Sequence, residues 1–257
     1  MTTEFYKYQG TGNDFIIIDN RSLLFDKTNF KNIAKLCDRR FGIGADGLIL
    51  LENHSSVDFT MVYYNADGNE SSMCGNGGRC ITAFAKFLGI IETKTTFEAI
   101  DGMHEAEVND GIVSLKMQNV ETIENYTSHV FLNTGSPHHI QLEDKLSELD
   151  VKRLGRKLRY AHPYNESGSN INFVSKISDN KIAIRTYERG VEDETLSCGT
   201  GATAAALAMH YIGATNQSDI TLKTNGGELQ VSFKKTDKGY EDIWLKGPAI
   251  QVFKGDI

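Results

Sequence analysis

The chain has 257 residues, 40% of them hydrophobic, and sets 27 Lys and Arg against 34 Asp and Glu for a net charge of −7. No basic run or aromatic-interleaved basic patch occurs, which argues against nucleic acid and for a small polar molecule as partner. No apolar stretch reaches the ~18 residues of a membrane helix and the first residues lack a signal-peptide core, so a cytoplasmic protein without membrane contact is expected, its four cysteines free thiols.

In chain order, the β-branched run Phe15-Ile16-Ile17-Ile18-Asp19 predicts a buried strand. An amphipathic helix is expected over 29–41, with Phe30, Ile33, Ala34, Leu36 and Cys37 at helical spacing. Two strand-like runs, 48–51 and 59–64, lead to the turn signal Asn65-Ala66-Asp67-Gly68 and then to Cys74. Residues 79–88 are apolar on nearly every side, as in a helix enclosed by sheet, and Gly89 is placed to end it. The second part follows the same plan. Strands are expected at 130–132, 171–174 and 182–187, an apolar helix at 202–211, and further strands at 220–222, 229–233 and 242–245.

The repetition is internal and nearly constant in offset. Cys74-Gly75-Asn76-Gly77-Gly78 and Cys198-Gly199-Thr200-Gly201-Ala202 stand 124 residues apart, as do the closing glycines Gly89 and Gly213. At the same offset Gly44-Ala45-Asp46 falls on Gly168-Ser169-Asn170, Tyr63 on Tyr187, and Asp101-Gly102 on Asn225-Gly226. Thr11-Gly12-Asn13 pairs with Thr134-Gly135-Ser136 at an offset of 123. Landmarks matched in the same order imply an old duplication. The expected fold is α/β of the α+β type: two pseudo-twofold-related halves, each a curved, largely antiparallel sheet or barrel around a central buried helix, with the active site in the cleft between them. The halves are expected at 1–120, joined by the last strand at about 249–257, and at 121–248, with a short crossing near 118–126.

A glycine-rich turn opening a helix presents orphan backbone N–H groups and the positive end of the helix dipole, and a thiol placed there can become a thiolate. Two such thiols flanking one molecule suit inversion at a carbon: one removes a proton, the other returns it from the opposite side, and no cofactor is required. Charge developing beside a carboxylate needs preorganised donors, which two helix N-termini would supply. By contrast Cys37 and Cys80 sit at core positions and are expected to be small buried hydrophobes. No C-x2-C or H-x3-H spacing accompanies Cys74 and Cys198, so no metal is expected. His138 lies in the loop that repeats the Gly10–Asp14 segment, which suggests a place beside the reacting groups. The Glu188-Arg189 pair at a strand end nine to ten residues before Cys198 can hold an ammonium and a carboxylate, so an amino acid is the substrate these groups suit.

In these residues the chain resembles the diaminopimelate epimerase family, the cofactor-independent amino-acid epimerases of the lysine and cell-wall pathway. The likeness covers essentially the whole chain. It runs through Gly10-Thr11-Gly12-Asn13-Asp14-Phe15, Gly42-Ile43-Gly44-Ala45-Asp46-Gly47, Asn65-Ala66-Asp67-Gly68, Cys74-Gly75-Asn76-Gly77-Gly78-Arg79-Cys80, Tyr187-Glu188-Arg189-Gly190-Val191, Cys198-Gly199-Thr200-Gly201-Ala202 and the closing Gly247-Pro248-Ala249. The resemblance implies that Cys74 and Cys198 are the acid/base pair, that His138 and Glu188 tune them, and that Gly75, Asn76, Gly199 and Thr200 donate to the reacting carboxylate. It further implies that Asn13, Asn65, Asn170 and Arg189 hold the remote amino-carboxylate end, and that the protein is a homodimer. Ser136 stands where many members carry asparagine before Pro-His.

Other readings use some of the same residues. A proline or hydroxyproline racemase would use the same two thiols, but Asn76 stands where those enzymes tend to carry histidine, and Glu188-Arg189 suits a second charged end. A thiol oxidoreductase would be expected to carry C-x-x-C. A cysteine hydrolase built on His138 would have no purpose for a second thiol, and a simple amino-acid-binding protein would need none.

Overall fold

A computed structural model describes residues 2–257, in which two compact units are distinguished: 2–115 with 247–257, and Lys116–Lys246. The first begins with β1 (Glu4–Gly10), β2 (Asn13–Asp19), α1 (Phe30–Cys37), β3 (Gly47–Glu52), β4 (Phe59–Asn65) and the short β5 (Glu70–Ser71). Helix α2 (Gly75–Phe87) follows, then β6 (Lys94–Ala99), β7 (Gly102–Asn109) and β8 (Ile112–Met117). The second unit contains β9 (Ile123–Asn125), β10 (Val130–Asn133), β11 (Pro137–Leu142), α3 (Val151–Arg159), β12 (Asn170–Ser178), β13 (Lys181–Glu188) and β14 (Asp193–Thr195). It continues with α4 (Gly199–Tyr211), β15 (Asp219–Thr224), β16 (Gly227–Thr236) and β17 (Gly239–Pro248), and β18 (Ile250–Asp256) returns the chain to the first unit.

Strand pairing is repeated step for step. In the first unit β1 is antiparallel to β2, β2 parallel to β3, β3 antiparallel to β4, β4 parallel to β6, and β6 antiparallel to β7. In the second, β10–β11, β11–β12, β12–β13, β13–β15 and β15–β16 follow the same sequence of senses. Even the outer neighbour recurs, since β18 pairs with β1 and β9 with β10. The hairpin match at Asp101-Gly102 is displaced by one residue: Gly102 and Gly227, rather than Gly226, open the equivalent strands β7 and β16, both with positive φ (117° and 141°).

Strand β2 explains why the apolar run is unbroken. Its side chains alternate across the sheet, so both faces must be covered. Ile16 and Ile18 join Ile33 and Cys37 of α1 in one buried cluster, while Phe15 and Ile17 are equally buried on the opposite face. Helix α2 packs on β1, β2, β3 and β7, strands from both ends of the order, so the sheet curls around it. In the second unit α4 is buried along almost its whole length by β10, β11, β12, β13, β15 and β16. Helix α1 is shorter than the 29–41 expected, running Phe30–Cys37 with Asn29 as its N-cap. The stop is Asp38, whose Oδ1 accepts the backbone N–H groups of Arg40 and Phe41, both at 2.7 Å, and turns the chain toward Gly42.

A histidine cluster in the second unit makes stability pH-dependent. The His129 and His139 rings stack 4.0 Å apart, and His139 Nδ1 lies 2.9 Å from the Tyr164 hydroxyl. Burial, with His129 beside it, pushes His139 down to about 4 from 6.5. The unfolded chain therefore takes up a proton that the folded chain refuses, so stability is intact above pH 6.5 and is lost as pH falls toward 4. The loss from this one group reaches roughly 3 kcal/mol. The urea midpoint is expected to be clearly lower at pH 5 than at pH 7; equal midpoints would contradict this.

Candidate active site

In the first unit, the turn after β5 delivers Cys74 in extended conformation (φ −102°, ψ 148°) as the N-cap of α2, and its Sγ accepts the Gly77 N–H at 3.2 Å. Gly77 permits this closeness, since a Cβ there would stand 3.2 Å from the sulfur and 3.3 Å from Met61. A sulfur receiving a helix-start N–H is in the setting that favours thiolate over thiol.

Asparagine side chains gather at the same turn. Asn76 Nδ2 donates to Asn13 Oδ1 at 3.1 Å, which lies 4.0 Å from Cys74 Sγ, and Asn13 Nδ2 donates to Asp46 Oδ2 at 2.6 Å. Asp46 is held by Arg39, which also grips Asp14; Lys7 completes the set at 2.7 Å from Asp14. Burial raises the pKa of Asp14, but Arg39 and Lys7 prevail and hold the carboxyl down to about 2. Beneath the turn Arg79 is fully buried. Its guanidinium donates to Asn76 Oδ1 at 3.0 Å, the Gly75 carbonyl at 3.2 Å and Thr11 Oγ1 at 3.4 Å, while Nε has no partner. Asn65, at the exposed end of β4, begins the turn that Gly68 closes on its carbonyl at 2.9 Å.

In the second unit Cys198 (φ −126°, ψ 116°) is the N-cap of α4 but makes no side-chain cap bond. Its Sγ lies 3.4 Å from Thr200 Oγ1. The equivalent close approach falls at Gly201, where a Cβ would meet Asn172 Oδ1 at 2.5 Å and Cys198 Cβ at 3.3 Å. His138, on β11, is wholly buried between Ser136 Oγ (3.0 Å from Nε2) and Asn172 Nδ2 (3.1 Å from Nδ1). Burial pushes its imidazole down to about 3, with nearby Arg189 adding to the effect against the Asn172 bond, so it is neutral at pH 7. Asn170 donates to Ser136 Oγ and the Pro137 carbonyl, both at 3.1 Å, and its Oδ1 accepts the Arg189 N–H at 2.9 Å. Its amide is thus largely engaged in bracing the strand ends. Glu188 ends β13, half-buried, and the exposed Arg189 donates through Nη1 to the Ser167 carbonyl at 3.1 Å.

The expected residues therefore fall into two groups: Asn13, Cys74, Gly75 and Asn76 around the start of α2, with Asn65 at the exposed end of β4, and His138, Asn170, Glu188, Arg189, Cys198, Gly199 and Thr200 around the start of α4 and the ends of β11–β13. Arg79, Asp46 and Asn172 were not among them. A lone arginine inside an apolar helix, and two asparagines at alternate positions of the apolar run Asn170-Ile171-Asn172-Phe173, are the signals that could have found the first and third. Cys37 and Cys80 are buried core residues, their thiols pushed up to about 12 by burial. Among the described residues no group of three His, Cys, Asp or Glu side chains is placed to hold a metal, and no helix is long and apolar enough to cross a membrane.

The sequence model of the family described as diaminopimelate epimerase matches residues 5–123 and 130–252. A diaminopimelate epimerase of Flavobacterium psychrophilum is 62% identical over 253 residues, covering 98% of this chain and 99% of that protein. One from Aquifex aeolicus is 38% identical over 274 residues, covering 99% and 97%. Among solved structures, a Bacillus anthracis phenazine biosynthesis protein of the PhzF family aligns with a TM-score of 0.81 at 14% identity, over 100% of this chain and 99% of that one. A hydroxyproline epimerase from Agrobacterium vitis aligns with a TM-score of 0.66 at 14% identity, over 100% and 92%. At these identities the structural likeness establishes the fold alone.

Proposed function

Because the chain belongs to the diaminopimelate epimerase family, matched over nearly its whole length, we propose that it interconverts LL- and meso-2,6-diaminopimelate in lysine biosynthesis. The observation that carries the chemistry is that each unit starts its buried central helix on a cysteine. In this reading one sulfur, as thiolate, takes the α-proton: the C–H bond breaks, an S–H bond forms, and the electron pair spreads onto the carboxylate. The other thiol then gives its proton to the opposite face and becomes the thiolate. Each cysteine serves as base for one stereoisomer, so the enzyme returns in the complementary protonation state.

The carbanion's charge is answered by donors at the two helix starts, Gly75 and Asn76 on one and Gly199 and Thr200 on the other. Asn13, Asn65, Asn170 and Arg189 hold the distal amino-carboxylate, and His138 and Glu188 set the protonation of the thiols. A shorter amino acid would leave those distal groups unpaired, which supplies the discrimination. The proposal includes a cytoplasmic enzyme that needs no cofactor and works as a homodimer.

The test is to incubate reduced protein with LL-diaminopimelate in D2O, with nothing added, and follow the α-proton by NMR. The expected result is the meso isomer with deuterium at one centre. Absence of exchange would overturn the proposal, and exchange on proline instead would replace it with the racemase reading.

A further inference from the structure

We propose that a one-way hydrogen-bond chain, running from Asn172 through His138, Ser136 and Thr200, aims a hydroxyl hydrogen at the Cys198 sulfur, and that Asn172 is the positioning residue that sets its direction. The inference deepens the reading above and rests on it for the role of Cys198 in proton transfer.

The direction follows from counting donors and acceptors. Asn172 is the fixed end. Its Oδ1 accepts the Thr186 hydroxyl at 2.9 Å, and its Nδ2 faces the carbonyl of His139 at 3.1 Å and that of Asn170 at 3.4 Å. Turning the amide over would set its oxygen against two carbonyl oxygens, so Nδ2 must also be the atom that meets His138 Nδ1 at 3.1 Å, as donor. That nitrogen of the ring therefore carries no hydrogen. Since His138 is buried and neutral, its single N–H is on Nε2, and it donates to Ser136 Oγ at 3.0 Å.

Ser136 Oγ also accepts from Asn170 Nδ2 at 3.1 Å, which fills both of its lone pairs. Its own hydrogen must then be given away, and Thr200 Oγ1 lies 3.4 Å off. Thr200 Oγ1, receiving that hydrogen, turns its own toward Cys198 Sγ at 3.4 Å. Each link is fixed by the one before it, and the amide of Asn172 decides the sense of the whole. Opposite histidine protonation would reverse the series and leave the sulfur facing an acceptor.

The consequence is specific to one protonation state. A hydroxyl donated to sulfur stabilises thiolate more than thiol, so the chain lowers the cost of Cys198 after it has released its proton to the substrate carbon. His138 acts here as a neutral donor, and no proton needs to leave along the chain. The charged groups at the ends of the neighbouring strands are Glu188, the last residue of β13, and Arg189 just beyond it, and Arg185 is engaged by Glu194 at 2.7 Å.

Two measurements on the whole protein test this without relying on turnover. With 15N-labelled histidine, the ring of His138, assigned by its loss in a His138→Gln variant, is expected to show its proton on Nε2 and a bare Nδ1 at pH 7; a proton on Nδ1 overturns the proposal. With cysteine labelled at 13Cβ, the titration midpoint of Cys198 is expected to rise by about one to two pH units in Ser136→Ala and in Thr200→Val, and to return in Thr200→Ser. An unmoved midpoint in both variants overturns it as well. Should the D2O experiment fail while these results hold, it is the substrate assignment that falls, since neither readout involves substrate.

Discussion

Cys74→Ala and Cys198→Ala are each expected to abolish epimerisation, lowering kcat/KM on the order of 10⁴-fold or more, because inversion needs a base on one face and an acid on the other. The residual chemistry should differ from the parent in kind as well as in rate. A single remaining thiolate can still take a proton from the face it meets and return a solvent deuteron to that same face. Each variant should therefore exchange the α-hydrogen of at most one stereoisomer, with retention, and the two variants should differ in which isomer that is. Cys37→Ala and Cys80→Ala supply the controls, because burial pushes both thiols up to about 12 and keeps them neutral at working pH. These should cost stability and leave turnover in place. Inversion surviving in either of the first two variants would eliminate the two-thiol mechanism.

Much of this architecture was legible because a duplicated chain states its plan twice. The constant spacing of Cys74 and Cys198, and of Gly89 and Gly213, located both central helices, and the structure ends each with the expected left-handed glycine (φ 71° and 74°). The signal weakened where local chemistry differs between the copies. Helix α3 places Val151, Leu154 and Leu158 at helical spacing among five basic residues, a pattern interrupted by the glycine at its centre, which is the poorest helix former after proline. Gly155 is there for a tertiary reason: a Cβ would stand 2.3 Å from that of Tyr187, the buried residue on which the helix rests. The hidden parts of the candidate site were hidden for the same reason. Asn172 and Arg79 look like isolated polar residues in apolar runs until the partners that satisfy them, distant in sequence, are in place.

Arg79 gives the second large expected effect, and it falls on activity far more than on stability. A guanidinium with no exposure and, among the described residues, no carboxylate within ion-pair distance has lost its hydration for three hydrogen bonds. That burial costs several kcal/mol, while the bonds to Asn76, Gly75 and Thr11 return about 1–3 kcal/mol each, so removal should change stability by no more than about 2 kcal/mol in either direction. Activity has no such compensation. Burial drives the guanidinium's pKa down, and the two thiols beside it, Cys80 and Cys74, oppose that shift. Cys80 stays neutral at working pH, so the negative charge available to answer Arg79 is a Cys74 thiolate, formed at the turn whose Gly75 carbonyl and Asn76 amide the same guanidinium holds. Arg79→Leu should therefore keep its melting temperature to within a few degrees yet lose about 100-fold in kcat/KM, with the acidic limb of the pH–rate profile moved upward by about one pH unit. Arg79→Lys, which keeps the charge and loses the fork, should recover the limb while recovering only part of the rate. A leucine variant as active as the parent, or one whose limb does not move, would remove Arg79 from the electrostatics of Cys74 and leave it a brace for the turn.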